Sequence, residues 1–113
     1  MKLEGRINIV TGAAQGIGAA IAREFAREGA VVAALDRKAE VGKVCEEIVQ
    51  AGGQASAHVL DITDQQAYRS CVEEIASKFG RIDGLVNNAA VWRVGDILTD
   101  TLDQWREVQK VNL

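Results

Sequence analysis

The stretch Ile7-Asn8-Ile9-Val10-Thr11-Gly12-Ala13-Ala14-Gln15-Gly16-Ile17-Gly18 decides how the rest of the chain is read. Its first four residues are β-branched apolar residues around one asparagine, and they run into the turn signal Thr11-Gly12; they read as a buried strand. From Ile17 to Glu28 the apolar residues Ile17, Ile21 and Phe25 recur every four positions beside small alanines, and Gly29 follows where a helix-terminating glycine belongs. Strand, glycine-rich turn and helix in direct succession aim backbone N–H groups outward at a helix N-terminus, which carries about half a positive charge. Such a turn suits a phosphate. Gly12 permits the sharp exit from the strand, Gly16 lets N–H groups approach a pyrophosphate without a Cβ in the way, and Gly18 allows close packing of helix and sheet. Three glycines alone could be ordinary turn residues; the strand-turn-helix context is what favours the ligand.

The same alternation continues outward from this unit. Ala30-Val31-Val32-Ala33-Ala34-Leu35 is a continuous apolar run of strand length, which expects cover on both faces, as in a parallel sheet. A second helix is expected over about Lys38 to Ala51, ending at Gly52-Gly53, and a short strand from about Gln54 to Leu60 follows. Thr63-x-x-Gln66 reads as a capping box opening a third helix that ends at Gly80. Ile82 to Asn87 reads as a fourth strand, and Thr101-x-x-Gln104 as the cap of a fourth helix that places Leu102, Trp105, Val108 and Asn112 near one face. The order βαβαβαβα implies an α/β domain over 1–113 with a parallel sheet, right-handed crossovers and the spatial order 3-2-1-4. Ligands in such a sheet bind beyond the carboxyl ends of the strands, at the crevice between strands one and four.

The residues at those ends form a set. Strand two ends at Asp36, about eighteen positions beyond Gly18, where an acid accepts hydrogen bonds from ribose hydroxyls. A carboxylate there also selects against a 2′-phosphate, since like charges ~4 Å apart at an effective dielectric of ~20 repel by about 4 kcal/mol. Gln15 brings no cation to the turn, although Arg37 could pair with a phosphate; the balance favours NAD over NADP. Strand three ends at Asp61-Ile62, a carboxylate and an apolar cover suited to an adenine, or equally a turn preceding the helix. Strand four ends in Asn87-Asn88-Ala89-Ala90, where asparagines can tie loops together and alanines leave room for a ribose and nicotinamide.

Composition narrows the classes further. The chain has 113 residues with 13 basic and 16 acidic side chains, a net charge of -3 that provides no field for collecting nucleic acid or an anionic membrane. No run approaches the roughly 20 apolar residues of a membrane span, and the start lacks the apolar stretch of a secretory signal, so a cytoplasmic location is expected. Cys45 continues a helical stripe with Val41, Val44, Ile48 and Val49, and Cys71 another with Tyr68, Val72, Ile75 and Phe79; both read as core. His58, the only histidine, has no second metal ligand near it in sequence.

Taken together, Thr11-Gly12-x-x-x-Gly16-Ile17-Gly18, Asp36, Asp61-Ile62-Thr63, Asn87-Asn88-Ala89-Ala90 and Val111-Asn112-Leu113 resemble the N-terminal, cofactor-binding half of a short-chain dehydrogenase/reductase, over essentially the whole chain. The resemblance implies a Rossmann-type three-layer α/β/α fold, truncated relative to the family's. It implies that Gly12, Gly16, Ile17 and Gly18 bind pyrophosphate, Asp36 the adenine ribose, Asp61 and Ile62 the adenine, and Asn87 and Ala89 the middle of the cofactor. Asn112 would be the helix-kinking asparagine that holds a water for proton relay. Ala90 stands where the family often has glycine. The family's serine and Tyr-x-x-x-Lys are missing; Tyr68 is the only tyrosine, with Val72 four positions on. The chain as written is therefore expected to bind cofactor without completing hydride transfer on an alcohol or ketone, and to self-associate through an uncovered strand-four edge or helix surface. Two other readings stand beside it: a non-catalytic NAD-binding or interaction module, and an S-adenosylmethionine-dependent methyltransferase, which the paired asparagines disfavour.

Overall fold

The computed structural model describes residues 2–88. Ala89, Ala90, the loop with Trp92 and Arg93, and the expected helix carrying Asn112 lie outside the described residues. Seven elements follow in the order β1 (Ile7–Thr11), α1 (Gly16–Arg27), β2 (Val31–Asp36), α2 (Val41–Gln50), β3 (Gln54–Val59), α3 (Gln65–Phe79) and β4 (Gly84–Asn87). The strands form one parallel sheet in the order β3-β2-β1-β4, as the alternation predicts. Val10 pairs with Ala34 on one side and Val86 on the other, so the sheet is centred on β1 and β2.

Strand alternation divides the core into two apolar layers. Val10, Val32 and Ala34 face α1 and α2, where they meet Ala19, Ala22, Val41, Val44, Cys45 and Ile48. Ile7, Ile9, Ala33 and Leu35 face α3 and meet Tyr68, Cys71 and Ile75. Three layers result, and the unbroken apolar run of β2 is explained because both of its faces are covered. Both cysteines are free thiols in this core, and burial raises the pKa of each.

Several local expectations are corrected. The buried face of α1 is Gly18, Ala19, Ala22 and Ala26, with Ile21 and Phe25 only packed along its margin and Ile17 exposed. Small side chains allow the helix axis to approach the sheet, which pushes the bulky stripe to the flanks. α2 starts at Val41 rather than Lys38, and Val49 lies on its exposed side. The expected capping box at Thr63 does not form: Asp64 is the N-cap of α3 and its side chain accepts from Ala67 N at 3.1 Å. Thr63 instead donates its backbone N–H (2.9 Å) and hydroxyl (2.7 Å) to Asp61 Oδ1. Gly80 ends α3 with φ 77°, as its position predicts. His58 is half-buried on β3 with Nε2 2.9 Å from Ser56 Oγ. Burial lowers its pKa, an effect partly opposed by Glu74. Among the described residues no group of acidic, histidine and cysteine side chains could hold a metal, and no helix is long and apolar enough to cross a membrane.

The N-terminal end of β4 is anchored by a charge. Asp83 Oδ2 accepts from Ile7 N at 2.8 Å and its own N–H donates to the Ile7 carbonyl at 2.8 Å. Oδ1 accepts from Arg81 Nε at 3.0 Å and from the same guanidinium's Nη2, and Arg6 Nη1 lies 3.8 Å away. The Ile7 N–H, then the Arg81 guanidinium, hold the Asp83 carboxyl below its ordinary value. A carboxyl depressed by folding stabilises above its unfolded pKa of about 3.9 and loses that contribution as pH falls through the folded pKa. Asp83→Asn should lower the melting temperature at pH 7 and flatten its decline below about pH 4. Parallel melting curves for the two proteins under acid would refute the anchor.

Candidate functional site

The carboxyl ends of β1, β2, β3 and β4 all open on one side of the molecule, because the strands are parallel. At β1 the chain leaves Thr11 through Gly12, with φ 65°, and enters α1 through Gly16, with φ 59°. Both angles belong to the left-handed region that L side chains rarely adopt. Gln15 is the exposed N-cap of α1, in extended conformation and without a side-chain cap. The Ala19 N–H closes the first helical bond, to the Gln15 carbonyl at 3.3 Å. The N–H groups of Gly16, Ile17 and Gly18 precede that bond and have no acceptor within the helix.

The three glycines do different work. A Cβ on Gly16 would meet nothing within 4 Å, so the space over it is open. A Cβ on Gly18 would sit 2.0 Å from the Gly12 carbonyl oxygen and 2.7 Å from Asn88 Nδ2. Gly18 therefore serves the approach of the helix to its own turn, rather than the helix–sheet packing expected from sequence. Asn88 Nδ2 donates to that same Gly12 oxygen at 3.3 Å, tying the end of β4 to the turn. Thr11 Oγ1 stands 3.2 Å from Asn87 Oδ1 and 3.3 Å from the Val86 carbonyl, which it can reach as donor. Thr11 is wholly buried, and its part in joining β1 to β4 was not separable in the sequence from the turn signal it begins.

Asp36 reaches the turn from β2. Its Oδ2 accepts from Ala14 N at 3.0 Å and its Oδ1 from Lys38 N at 2.9 Å. Beside it, Ala13 N donates to the Leu35 carbonyl at 3.2 Å. Arg37 is exposed next to this carboxylate. At β3, Asp61 is exposed and carries the Thr63 hydrogen bonds described above. These bonds, hydroxyl first and backbone second, hold its carboxyl below the usual value, and Arg37 adds to the effect. Ile62 is half-buried and packs against the α3-side core. The structure thus gathers Gly12, Gln15, Gly16, Ile17, Gly18, Asp36, Arg37, Asp61, Ile62 and Asn88 along one end of the sheet. Asn87, also singled out from the sequence, ends β4 beside Thr11, and Ala89, Ala90 and Asn112 lie outside the described residues. Ile17 projects into solvent at the start of α1, 69% exposed, beside the open space over Gly16.

Comparison with known proteins places this geometry. A family model described as short chain dehydrogenase matches residues 6–113. The chain is 38% identical to a meso-2,3-butanediol dehydrogenase of Serratia marcescens, covering 100% of this chain and 45% of that protein. It is 39% identical to a D-threitol dehydrogenase of Mycolicibacterium smegmatis, covering 99% and 44%. Among solved structures, a hydroxysteroid dehydrogenase from Escherichia coli superposes with a TM-score of 0.73 at 44% identity, covering 76% of this chain and 37% of that one. A metagenomic short-chain oxidoreductase in complex with NADP gives a TM-score of 0.75 at 40% identity, covering 78% and 40%. The chain spans somewhat less than half the length of these relatives. Since the family model takes in nearly the whole chain, and these relatives share 38–44% of its residues, the chain belongs to the short-chain dehydrogenase family.

Proposed function

We propose that this chain holds a nicotinamide dinucleotide across the carboxyl end of its sheet, as part of an oxidoreductase acting on an alcohol or ketone. The observation that carries the reading is the open, left-handed Gly16 at the start of α1, flanked by the Asp36 carboxylate. A diphosphate needs N–H donors, a positive helix end and no Cβ in its path, and this turn supplies all three. In this reading Gly12, Gln15, Gly16, Ile17 and Gly18 surround the diphosphate, Asp36 accepts from the adenine ribose, and Arg37 lies at its rim. Asp61 and Ile62 border the adenine, and Asn87, Asn88, Ala89 and Ala90 the middle of the cofactor. The bound nicotinamide would supply the hydride acceptor or donor.

The proton side of the chemistry requires other groups. Asn112 would hold a water for proton relay. Tyr68 is no candidate acid in this reading: it is buried on the α3 core face, and Val72 stands four positions on where the family has lysine. The reading therefore assigns cofactor binding to this chain, and turnover to a polypeptide that also carries the serine and Tyr-x-x-x-Lys of the family.

We further propose NAD(H) over NADP(H), since the Asp36 carboxylate opposes a 2′-phosphate. Even a third of the ~4 kcal/mol repulsion is about tenfold in affinity. Calorimetric titration of the chain with NADH, NADPH and S-adenosylmethionine tests both statements. NADH should bind about tenfold or more tightly than NADPH, and S-adenosylmethionine should give no heat. Absence of binding by either dinucleotide would sink the reading.

Two glycine variants distinguish ligand space from protein packing. Gly16→Ala meets no protein atom but forces a side chain to φ 59°, so it should lower stability by about 1 kcal/mol and NADH affinity by far more than that implies. Gly18→Ala collides with the Gly12 carbonyl and should lower stability and affinity together. Thermal melts beside NADH titrations provide the check, and unchanged NADH affinity in the Gly16 variant would contradict the diphosphate assignment.

A further inference from the structure

The turn between β1 and α1 has an internal problem that its glycines do not solve. Ala13 and Ala14 are buried, and buried N–H groups need acceptors. Both acceptors come from the end of β2. Ala13 N uses the Leu35 carbonyl at 3.2 Å, a main-chain bond that any residue at position 35 could provide. Ala14 N uses a side chain, Asp36 Oδ2 at 3.0 Å. The other oxygen of that carboxylate is fixed by Lys38 N at 2.9 Å, which sets the side chain's orientation. One carboxylate therefore bridges the turn after β1 and the turn after β2.

We infer that Asp36 is a positioning residue for the glycine turn, acting through the Ala14 amide, in addition to any contact with a ribose. This rests on the dinucleotide reading above. A carboxylate presents about four lone-pair sites and the two backbone donors use two of them, so a ribose hydroxyl can be accepted without releasing Ala14. Loss of the tether leaves a part-buried N–H without its partner and frees the arc that carries Gln15 and Gly16. A diphosphate gripped only by that arc should feel the loss, although it never touches position 36.

Inorganic pyrophosphate is the probe, because it has no ribose. Asp36→Asn and Asp36→Ala both remove the charge, but the amide keeps one oxygen, which can accept from the buried turn residue Ala14 with its Nδ2 turned towards the exposed Lys38, whose bond is given up, whereas alanine keeps neither bond. The full chain with Asp36→Asn should therefore bind pyrophosphate about tenfold more tightly than with Asp36→Ala, measured by amide chemical-shift titration. Without ligand, Ala14 N–H exchange with solvent should be about tenfold or more faster in the alanine variant than in wild type or the asparagine variant. If the alanine variant does not fold, Asp36→Ser replaces it, since a hydroxyl one bond shorter does not reach Ala14. Equal pyrophosphate affinity in the two variants overturns the positioning role. Should wild type bind neither pyrophosphate nor NADH, the dinucleotide reading fails by itself. The ligand-free exchange comparison then decides the tether, with equal Ala14 exchange in alanine and wild-type chains overturning it.

Discussion

The first turn of α1 lies so close to the end of β1 that a single methyl group could not be inserted between them. Where a Gly18 side chain would start, the Gly12 carbonyl oxygen stands 2.0 Å away, with the Asn88 amide just beyond. The proximity forces glycine at 18, while Gly12 and Gly16 take left-handed backbone in the same turn, and the N–H groups that precede the first helical bond have no acceptor within the helix. Hydrogen bonds from Asn88 to Gly12 and from Ala14 to Asp36 then hold the turn from both sides. The open space over Gly16 belongs to this same turn, which the helix start packs against at Gly18.

β4 illustrates how a weak element is made part of the sheet. It has four residues, Gly84–Asn87, half-buried throughout, and among the described residues it pairs with β1 alone. A few ladder bonds, each contributing about 1 kcal/mol net, leave such a strand marginal. Polar side chains fasten both of its ends. Asp83 accepts from the Ile7 N–H at one end, and Asn87 and Asn88 meet Thr11 and Gly12 at the other. Gly84 fits the same pattern, because a Cβ there would sit 2.6 Å from the buried Asn8 Oδ1. The glycine that weakens the strand's propensity is what allows it to lie beside β1.

Much of the fold was legible because the strongest signals were physical constraints rather than propensities. The unbroken apolar run of β2 could only be covered on both faces, and the glycines after α1 and α3 sit where a chain must turn left-handed. What was misread depended on competition between neighbours. Thr63 and Asp64 both suit a helix cap; the threonine was drawn to the Asp61 carboxylate, leaving the cap to Asp64. In α1 the periodicity of Ile17, Ile21 and Phe25 pointed to the wrong face, because distance to the sheet favoured the alanines. At the site, residue types revealed which positions gather at the strand ends. They did not reveal that Asp36 would already be engaged with two backbone amides, since a contact between positions 14 and 36 arises only once the sheet is built.

That engagement changes how selectivity at position 36 should be understood. If the acid only read a ribose, removing its charge would exchange one cofactor for another at no structural expense. Because its oxygens also hold Ala14 and Lys38, a replacement must provide an acceptor at the same place to keep the glycine turn in shape. On the proposed dinucleotide reading, repulsion of a 2′-phosphate and support of the glycine turn would reside in one side chain, and an amide, with a single oxygen, would keep at most one of the two backbone bonds. On that reading, sugar recognition and the shape of the glycine turn would be coupled through the Ala14–Asp36 bond, which neither ligand fragment makes.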